Sequence, residues 1–499
     1  MINVIKLMKL GTQGQMQICK FEFEFDDASS LPIRAYQLDL QSYLIADGST
    51  AKNMVTGVTY EYANEKWNKK VETNDVSNST NTITANGAYT VVNNVYTGTN
   101  DLAVESKGDG NAWFISEPLD DFKIVSHLNS KIVNVPDGVT GIGRLAFSYG
   151  LNGRYYSSPK FEQINFPSTL EKLDDYALSG VRLAHINIPD SVTTMGQHVF
   201  DDCMNLKSFR MPPKVTTLPS YTFYKCVSLE DCDISNVTGT IGELAFYGCT
   251  SLKNITIPAG VTAIGRSVFS GCASLKSMTI PDNVTNIGES MFYGCSELEH
   301  IQLPSTFTTI TNNMFRDCPK LDVENDIDFS KITSIGTYAF RGSSIETLTT
   351  YSGLTSIGEG AFSECTDLET ISMADTTNNY TLGMSVFENC TSLKNVRLSG
   401  KIKILPNKCF NGCTSLEQFT VPDGTITINN NCFGNCTNLA AIYIPKSVTT
   451  IGSSTIKVFN GCPNLTKIYI QNGSQLVAPT DKWGATNASV VKVDSNPLT

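Results

Sequence analysis

Residues 251–273 read SLKNITIPAGVTAIGRSVFSGCA, and this stretch decides the fold. Ile255 and Ile257 flank polar Thr256, the period-two alternation of a short strand with one face inward. Pro258 ends that strand, because proline has no N–H to give to a ladder. Ala259-Gly260 then turns the chain, as Pro281-Asp282 and Pro422-Asp423 do elsewhere. Val261 and Ile264 begin a second inward stretch, and after Gly265 the segment Ser-Val-Phe brings Phe269 and Cys272 back to the interior. A unit this short cannot bury its own apolar side chains, so it requires copies of itself on either side.

The copies are present. Phe200, Phe223, Phe246, Phe269, Phe292 and Phe315 stand 23 residues apart, and Cys203, Cys226, Cys249, Cys272, Cys295 and Cys318 keep the same step. The register returns at Phe387, Phe410 and Phe433 with Cys390, Cys413 and Cys436. Following the phenylalanine column outward through Phe147, Leu178, Phe340, Phe362 and Phe459 gives about fourteen units between residues 130 and 472. A fixed period of this length with aliphatic residues at set offsets means a solenoid with parallel strands and one continuous core.

The strings IPDSVTTMGQHVFDDCMNLKSF (188–209), IPAGVTAIGRSVFSGCASLKSM (257–278) and IPDNVTNIGESMFYGCSELEHI (280–301) resemble the BspA-like leucine-rich repeat family, the 23-residue bacterial type. The resemblance covers about two thirds of the chain. It implies surface display and the binding of proteins or host cells, and it carries over no catalytic residue. The pattern departs from the family's step between residues 319 and 389, where Cys318 to Cys365 spans 47 residues with Ser343 in place of a cysteine. Residues 374–380 are expected to bulge there as a loop, and residues 148–160 form another insertion.

The rest of the chain is read from local pattern. Cys19, Phe21, Phe23 and Phe25 alternate with Lys20, Glu22 and Glu24, a half-buried strand, and strand-like runs follow at 35–44, 55–62, 89–96 and 112–115. Asp47-Gly48, Asn86-Gly87 and Asp109-Gly110 separate them as turns, and residues 73–86, rich in Ser, Thr and Asn, form a long loop. The expectation is a mainly β chain: a small all-β, sandwich-like anchoring domain over 1–125, the solenoid over 126–472 and a C-terminal cap over 473–499.

Composition bounds the function. Of 499 residues, 41% are hydrophobic and 17% charged, which suits a packed core and excludes a coiled coil or a charged disordered chain. Thirty-seven Lys and Arg against 48 Asp and Glu leave a net charge of −11, so phosphate-rich partners such as nucleic acid have no general attraction here. No run of about 20 apolar residues predicts a membrane span. Lys6 and Lys9 break the apolar stretch that a signal peptide would need, and no small-residue cleavage site follows.

Reactive residues were weighed against packing. Fifteen cysteines are too sparse and odd in number for a disulfide framework. Stacked neighbours come within disulfide reach, and Cys409-x3-Cys413 with Cys432-x3-Cys436 imitates a four-thiolate zinc site. Yet Cys409 and Cys432 hold a position taken elsewhere by Val199, Ala245, Val268 and Met291, which asks only for a small or medium apolar group. The four histidines, His127, His185, His198 and His300, have no metal spacing, and no Gly-rich phosphate loop occurs. No metal, cofactor or catalytic site is therefore expected, and an enzyme or metal-binding protein stands as the weakest alternative.

What remains is surface. The outward residues of successive strands form one column: Asn134, Asn165, Asn187, Arg210, Asp233, Thr256, Thr279, Gln302, then Arg397, Thr420, Tyr443 and Tyr469. Tyr and Arg are the side chains that anchor interfaces, so Arg397, Thr420, Tyr443 and Tyr469 are the expected contact patch. The expected function is non-enzymatic binding or adhesion at a cell surface, with a protein or surface glycan as ligand and neither nucleic acid nor membrane insertion involved. The alternative is a bacteriophage virion structural protein, a tail or head decoration or host-attachment component, which needs no leader; there the N-terminal domain would meet other virion proteins or its own copies.

Overall fold

A computed structural model describes residues 162–376, 379–453 and 455–498 in full, with 135, 139–144 and 147–148 before them and the backbone of strands within residues 2–134. The chain divides into two compact units, residues 1–215 and 216–499.

In the first unit Ile2–Gln13 pairs antiparallel with Met16–Phe25, which also takes Tyr43–Ile45 and Thr50–Asn53 in parallel; Thr59–Ala63 and Lys66–Lys69 complete a six-stranded sheet. The expected strand at 89–96 and most of the insertion at 148–160 lie outside the described residues. A second ladder runs in parallel from Ala112–Phe114 through Gly141–Ile142 and Lys172–Leu173 to Thr194–Met195. Coil-type pairing thus begins before the boundary expected at 125.

The second unit repeats one coil design. Each regular coil has a long strand, such as Ser277–Thr279 or His300–Gln302, and a two-residue strand, such as Ala263–Ile264 or Asn286–Ile287. Pairing is in register, position on position: Met278 with Ile301, and Ile264 with Ile287. Gly265, after the short strand, is required by close approach, since a Cβ there would lie 2.5 Å from the Glu243 nitrogen of the preceding coil.

The third side of the coil is not a β-ladder. The N–H groups of Ser267, Phe269 and Gly271 all donate to the following coil, at Glu289 O (2.8 Å), Met291 O (3.0 Å) and Tyr293 O (2.7 Å). Left-handed backbone at Ser267 (φ 56°) and Gly271 (φ 74°) turns alternate peptides the same way and makes this possible. Leu244, Ser290, Asn313 and Tyr338 hold the same left-handed position as Ser267. The strain of a non-glycine residue there is about 1–2 kcal/mol and is offset by the three inter-coil bonds.

The interior is a set of columns. From Phe223 to Phe459 the rings stack at centroid separations of 5.3–6.1 Å with interplanar angles of 23° or less. Every ring in that column is fully buried. Fourteen cysteines are described, all buried and all free.

Two local expectations change. No strand forms at residues 255–257, although Ile255 and Ile257 are buried and Asn254 and Thr256 exposed as the alternation requires. Cross-coil bonds are stretched there: Lys253 N–H to Glu230 O and Lys276 N–H to Lys253 O are both 3.5 Å. In the out-of-step region, a short helix, Val323–Asp326, stands where a long strand belongs, with the Asp322 side chain accepting from Asn325 N–H as its N-cap. Of the loop expected at 374–380, Tyr380 is instead buried and bridges to Ile402.

Candidate binding surface

The long strands carry their odd positions outward. Thr279 and Gln302 are exposed beside buried Met278 and Ile301. Arg397 pairs with Ser372 in the sheet built from Thr347–Thr350, Thr370–Met373 and Asn395–Arg397. The ladder then breaks, and Gln418–Thr420, Ala441–Ile444, Lys467–Gln471 and Ser489–Val493 form a four-stranded sheet. In that sheet Thr420, Tyr443 and Tyr469 are register partners in one row, ending on Val491.

The structure therefore aligns Thr420, Tyr443 and Tyr469 and places Arg397 on the neighbouring sheet. Arg397 and Thr420 are exposed and Tyr469 is half-buried. Tyr443 corrects the expectation: it is only 4% exposed. Burial first, and then the charge of Asp423, push its phenol above the ordinary tyrosine value. All four residues of its strand, Ala441–Ile444, are buried, and beside it Asn496 Nδ2 donates to Thr420 Oγ1 at 3.1 Å from 76 residues away. Periodicity places a side chain on a face, but it is blind to what a distant segment lays over it.

Near Arg397 the Asp375 carboxylate accepts from Gly400 N–H (2.8 Å) and the Ser399 hydroxyl (3.2 Å). These bonds, followed by the charges of Arg397 and Lys401, hold it below the usual carboxylate range. Along the rims, exposed charges pair from coil to coil: Lys253 with Glu230 at 2.9 Å, Lys320 with Glu297 at 2.6 Å, Lys394 with Glu369 at 3.0 Å. Each such pair is worth at most about 1 kcal/mol.

Where the helix Val323–Asp326 interrupts the long-strand face, its acids replace missing backbone carbonyls. Asp326 Oδ2 accepts from Ile301 N–H of the preceding coil at 2.8 Å, and Glu324 Oε1 accepts from Glu346 N–H (3.0 Å) and Thr347 N–H (2.5 Å) of the following one. The gap is a notch of about 270 Å³ lined by Gln302, Ser305, Asn325, Asp326, Asp328 and Lys331. Its polar groups are engaged with one another: Asp328 with Ser330 and Lys331, Asn325 with Asp322.

The cysteines have a role that the sequence reading missed. From Cys249 to Cys462 the column thiols donate to the carbonyl of the phenylalanine one coil back, among them Cys272 to Phe246 O at 3.2 Å, Cys295 to Phe269 O at 3.1 Å and Cys318 to Phe292 O at 3.0 Å, while Cys203 donates to Leu178 O at 3.2 Å. Ser343, the exception in the column, makes the same bond to Phe315 O at 2.8 Å. That substitution was the available signal, since serine shares with cysteine a short donor rather than apolarity. Burial raises the Cys365 thiol to about 12 and pushes those of Cys272, Cys295 and Cys318 well above the ordinary range. In these bonds the four act as neutral S–H donors. Among the described residues, no group of three or more His, Cys, Asp and Glu side chains could hold a metal ion.

The family described as BspA type leucine rich repeat region (6 copies) matches residues 151–249, 216–333, 322–419 and 366–478. The chain belongs to the BspA-type leucine-rich repeat family. Of solved structures, a leucine-rich repeat protein from Bacteroides ovatus shares the fold at TM-score 0.59 and 23% identity, over 79% of this chain and 98% of that one. A leucine rich cell surface protein from Faecalibacterium prausnitzii aligns at TM-score 0.39 and 22% identity, over 78% and 99% of the two chains. No curated protein matches. Proteins of the BspA type are generally non-enzymatic, and the family fits a protein-binding or surface role. Among the described residues no helix is long and apolar enough to cross a membrane.

Proposed function

We propose that this BspA-type protein is a non-catalytic recognition protein of the cell surface, whose long-strand face binds a protein or a surface glycan while residues 1–125 anchor it. The observation that carries this reading is the division of chemistry in the coils. Buried thiols and aromatic rings are engaged in internal bonds and stacking, as Cys272–Phe246 and the phenylalanine column illustrate. Variable polar and aromatic side chains are left to the outward rows, which include exposed Arg397. Solenoids use such rows for recognition, and arginine is a frequent anchor there. Nothing in the fold or the comparisons favours the virion reading.

The test is binding of the intact chain to arrayed extracellular proteins and glycans, alongside Arg397→Glu and, as a control on the phenylalanine side of the coil, Arg266→Glu. The expected result is a ligand retained by the control and weakened at least tenfold by Arg397→Glu. Ligands lost equally in both variants, or in neither, would overturn the assignment of the face.

A further inference from the structure

In the outward row Thr420–Tyr443–Tyr469 the central Tyr443 is buried, and the chain's own segment 494–498 bonds to the row at Thr420. Strand Ser489–Val493 lies three ladder steps from Gln418–Thr420. Three steps of about 4.8 Å make roughly 14 Å. Residues 494–496, fully extended, span about 10 Å, and the Asn496 side chain supplies the remainder. The segment leaves the sheet after Val493, the register partner of Gln471, and returns diagonally over these steps to reach Thr420.

Its bonds are specific. Asp494 Oδ1 accepts from Asn472 Nδ2 at 2.5 Å and fixes the departure from the sheet. The Asn496 carboxamide donates to Thr420 Oγ1 at 3.1 Å while its Oδ1 accepts from Leu498 N–H at 2.9 Å. Pro497, between them, sets the backbone for this turn. Tyr443, between Thr420 and Tyr469 in the row, is 4% exposed, whereas Thr279, Gln302, Arg397 and Thr420 at the same outward position of their strands are exposed.

We infer that this row is a peptide-docking site, built for an extended segment with a carboxamide side chain followed by proline and an aliphatic residue, and that residues 494–498 hold it closed by occupying it. The inference rests on the reading of the long-strand face as a recognition surface and names the ligand class of one part of it. An attached segment acts at an effective concentration on the order of millimolar. A free peptide that binds the open row at ~10 µM is therefore held off roughly 100-fold by the attached one.

The experiment uses a fluorescent peptide of sequence DSNPLT against three proteins: the intact chain, the chain ending at Val493, and the full-length double variant Asn496→Ala/Leu498→Ala, which keeps strand Ser489–Val493 unchanged. Nitration of Tyr443 by tetranitromethane is followed by mass spectrometry in parallel. The expected result is peptide binding at least tenfold tighter to either altered protein than to the intact chain, with Tyr443 nitrated at least tenfold faster. Absence of peptide binding by both altered proteins overturns the inference, whatever Tyr443 does, and so does self-association of the shortened chain without peptide binding. Either failure leaves the array result at Arg397 standing, because Arg397 lies on the other sheet and takes no part in this assay.

Discussion

Replacing Phe292 by leucine isolates the part of coil-to-coil adhesion that comes from ring stacking. The Phe292 ring is fully buried between Phe269 (centroid separation 6.1 Å, interplanar angle 11°) and Phe315 (5.8 Å, 2°). Leucine keeps most of the apolar volume and removes both ring pairs, each worth about 0.5–1.5 kcal/mol beyond area burial. The expected loss is about 1–3 kcal/mol, borne by the coils around residues 269–315 because each repeat is stabilised only by itself and its neighbours. Phe459 is the internal comparison: among the described residues it stacks on Phe433 alone, at 5.9 Å, so Phe459→Leu forfeits about half as much. The loss is local, so the assay is residue-resolved amide exchange, which reports coil by coil. Protection at Phe269 and Phe292 N–H should fall by one to two orders of magnitude, with that at Phe433 unchanged. Equal effects of the two substitutions, or loss of protection spread evenly to residue 433, would refute nearest-neighbour stacking as the source of stability.

Cys365, whose thiol donates to Phe340 O at 3.1 Å, should accept serine within about 1 kcal/mol, as Ser343 already shows, and lose more as alanine, measured by urea denaturation. The same thiol sets an alkaline limit. Its ordinary value of 9.0 rises to about 12 on folding, so its contribution is complete below pH 9 and is lost as pH rises toward 12, because only the unfolded chain ionises in that window. Stability should then fall by about 1.4 kcal/mol per pH unit for each such thiol, and Cys365→Ser should flatten that slope in denaturation curves taken between pH 8 and 11. Asp326→Ala orphans the Ile301 N–H, which it holds at 2.8 Å, at a loss of about 1–3 kcal/mol confined to the helical coil; exchange at Ile301 N–H is the readout.

Much of this molecule is legible because its contacts repeat. Ile264 pairs with Ile287 and Met278 with Ile301 for the same reason that their spacing is 23: like positions meet like, and two columns of the sequence suffice to write the core. Reading fails where a contact leaves the period. Tyr443 shares the row of exposed Thr420, as the alternation says, yet is buried, and Asn496 reaches back 76 residues to bond Thr420 beside it. The missing strand before Phe329 was signalled only by a break in step, although Asp322 with Asn325 three residues later is a readable helix start. The third side of the coil leaves little trace in composition, since Leu244, Ser267, Asn313 and Tyr338 all adopt the left-handed backbone that glycine would have announced. The thiol-to-carbonyl bonds hide for another reason: burial alone accounts for cysteine in a core, and only Ser343 hints at a donor.

The most direct test of the account is an experimental structure of the intact chain bound to a ligand found on the protein and glycan arrays. The account expects that ligand on the outward rows of the long strands, against Arg397 or in place of residues 494–498 over Tyr443, with the phenylalanine and cysteine columns unchanged. A ligand seated among the column thiols, or on the phenylalanine side of the coils, would contradict it.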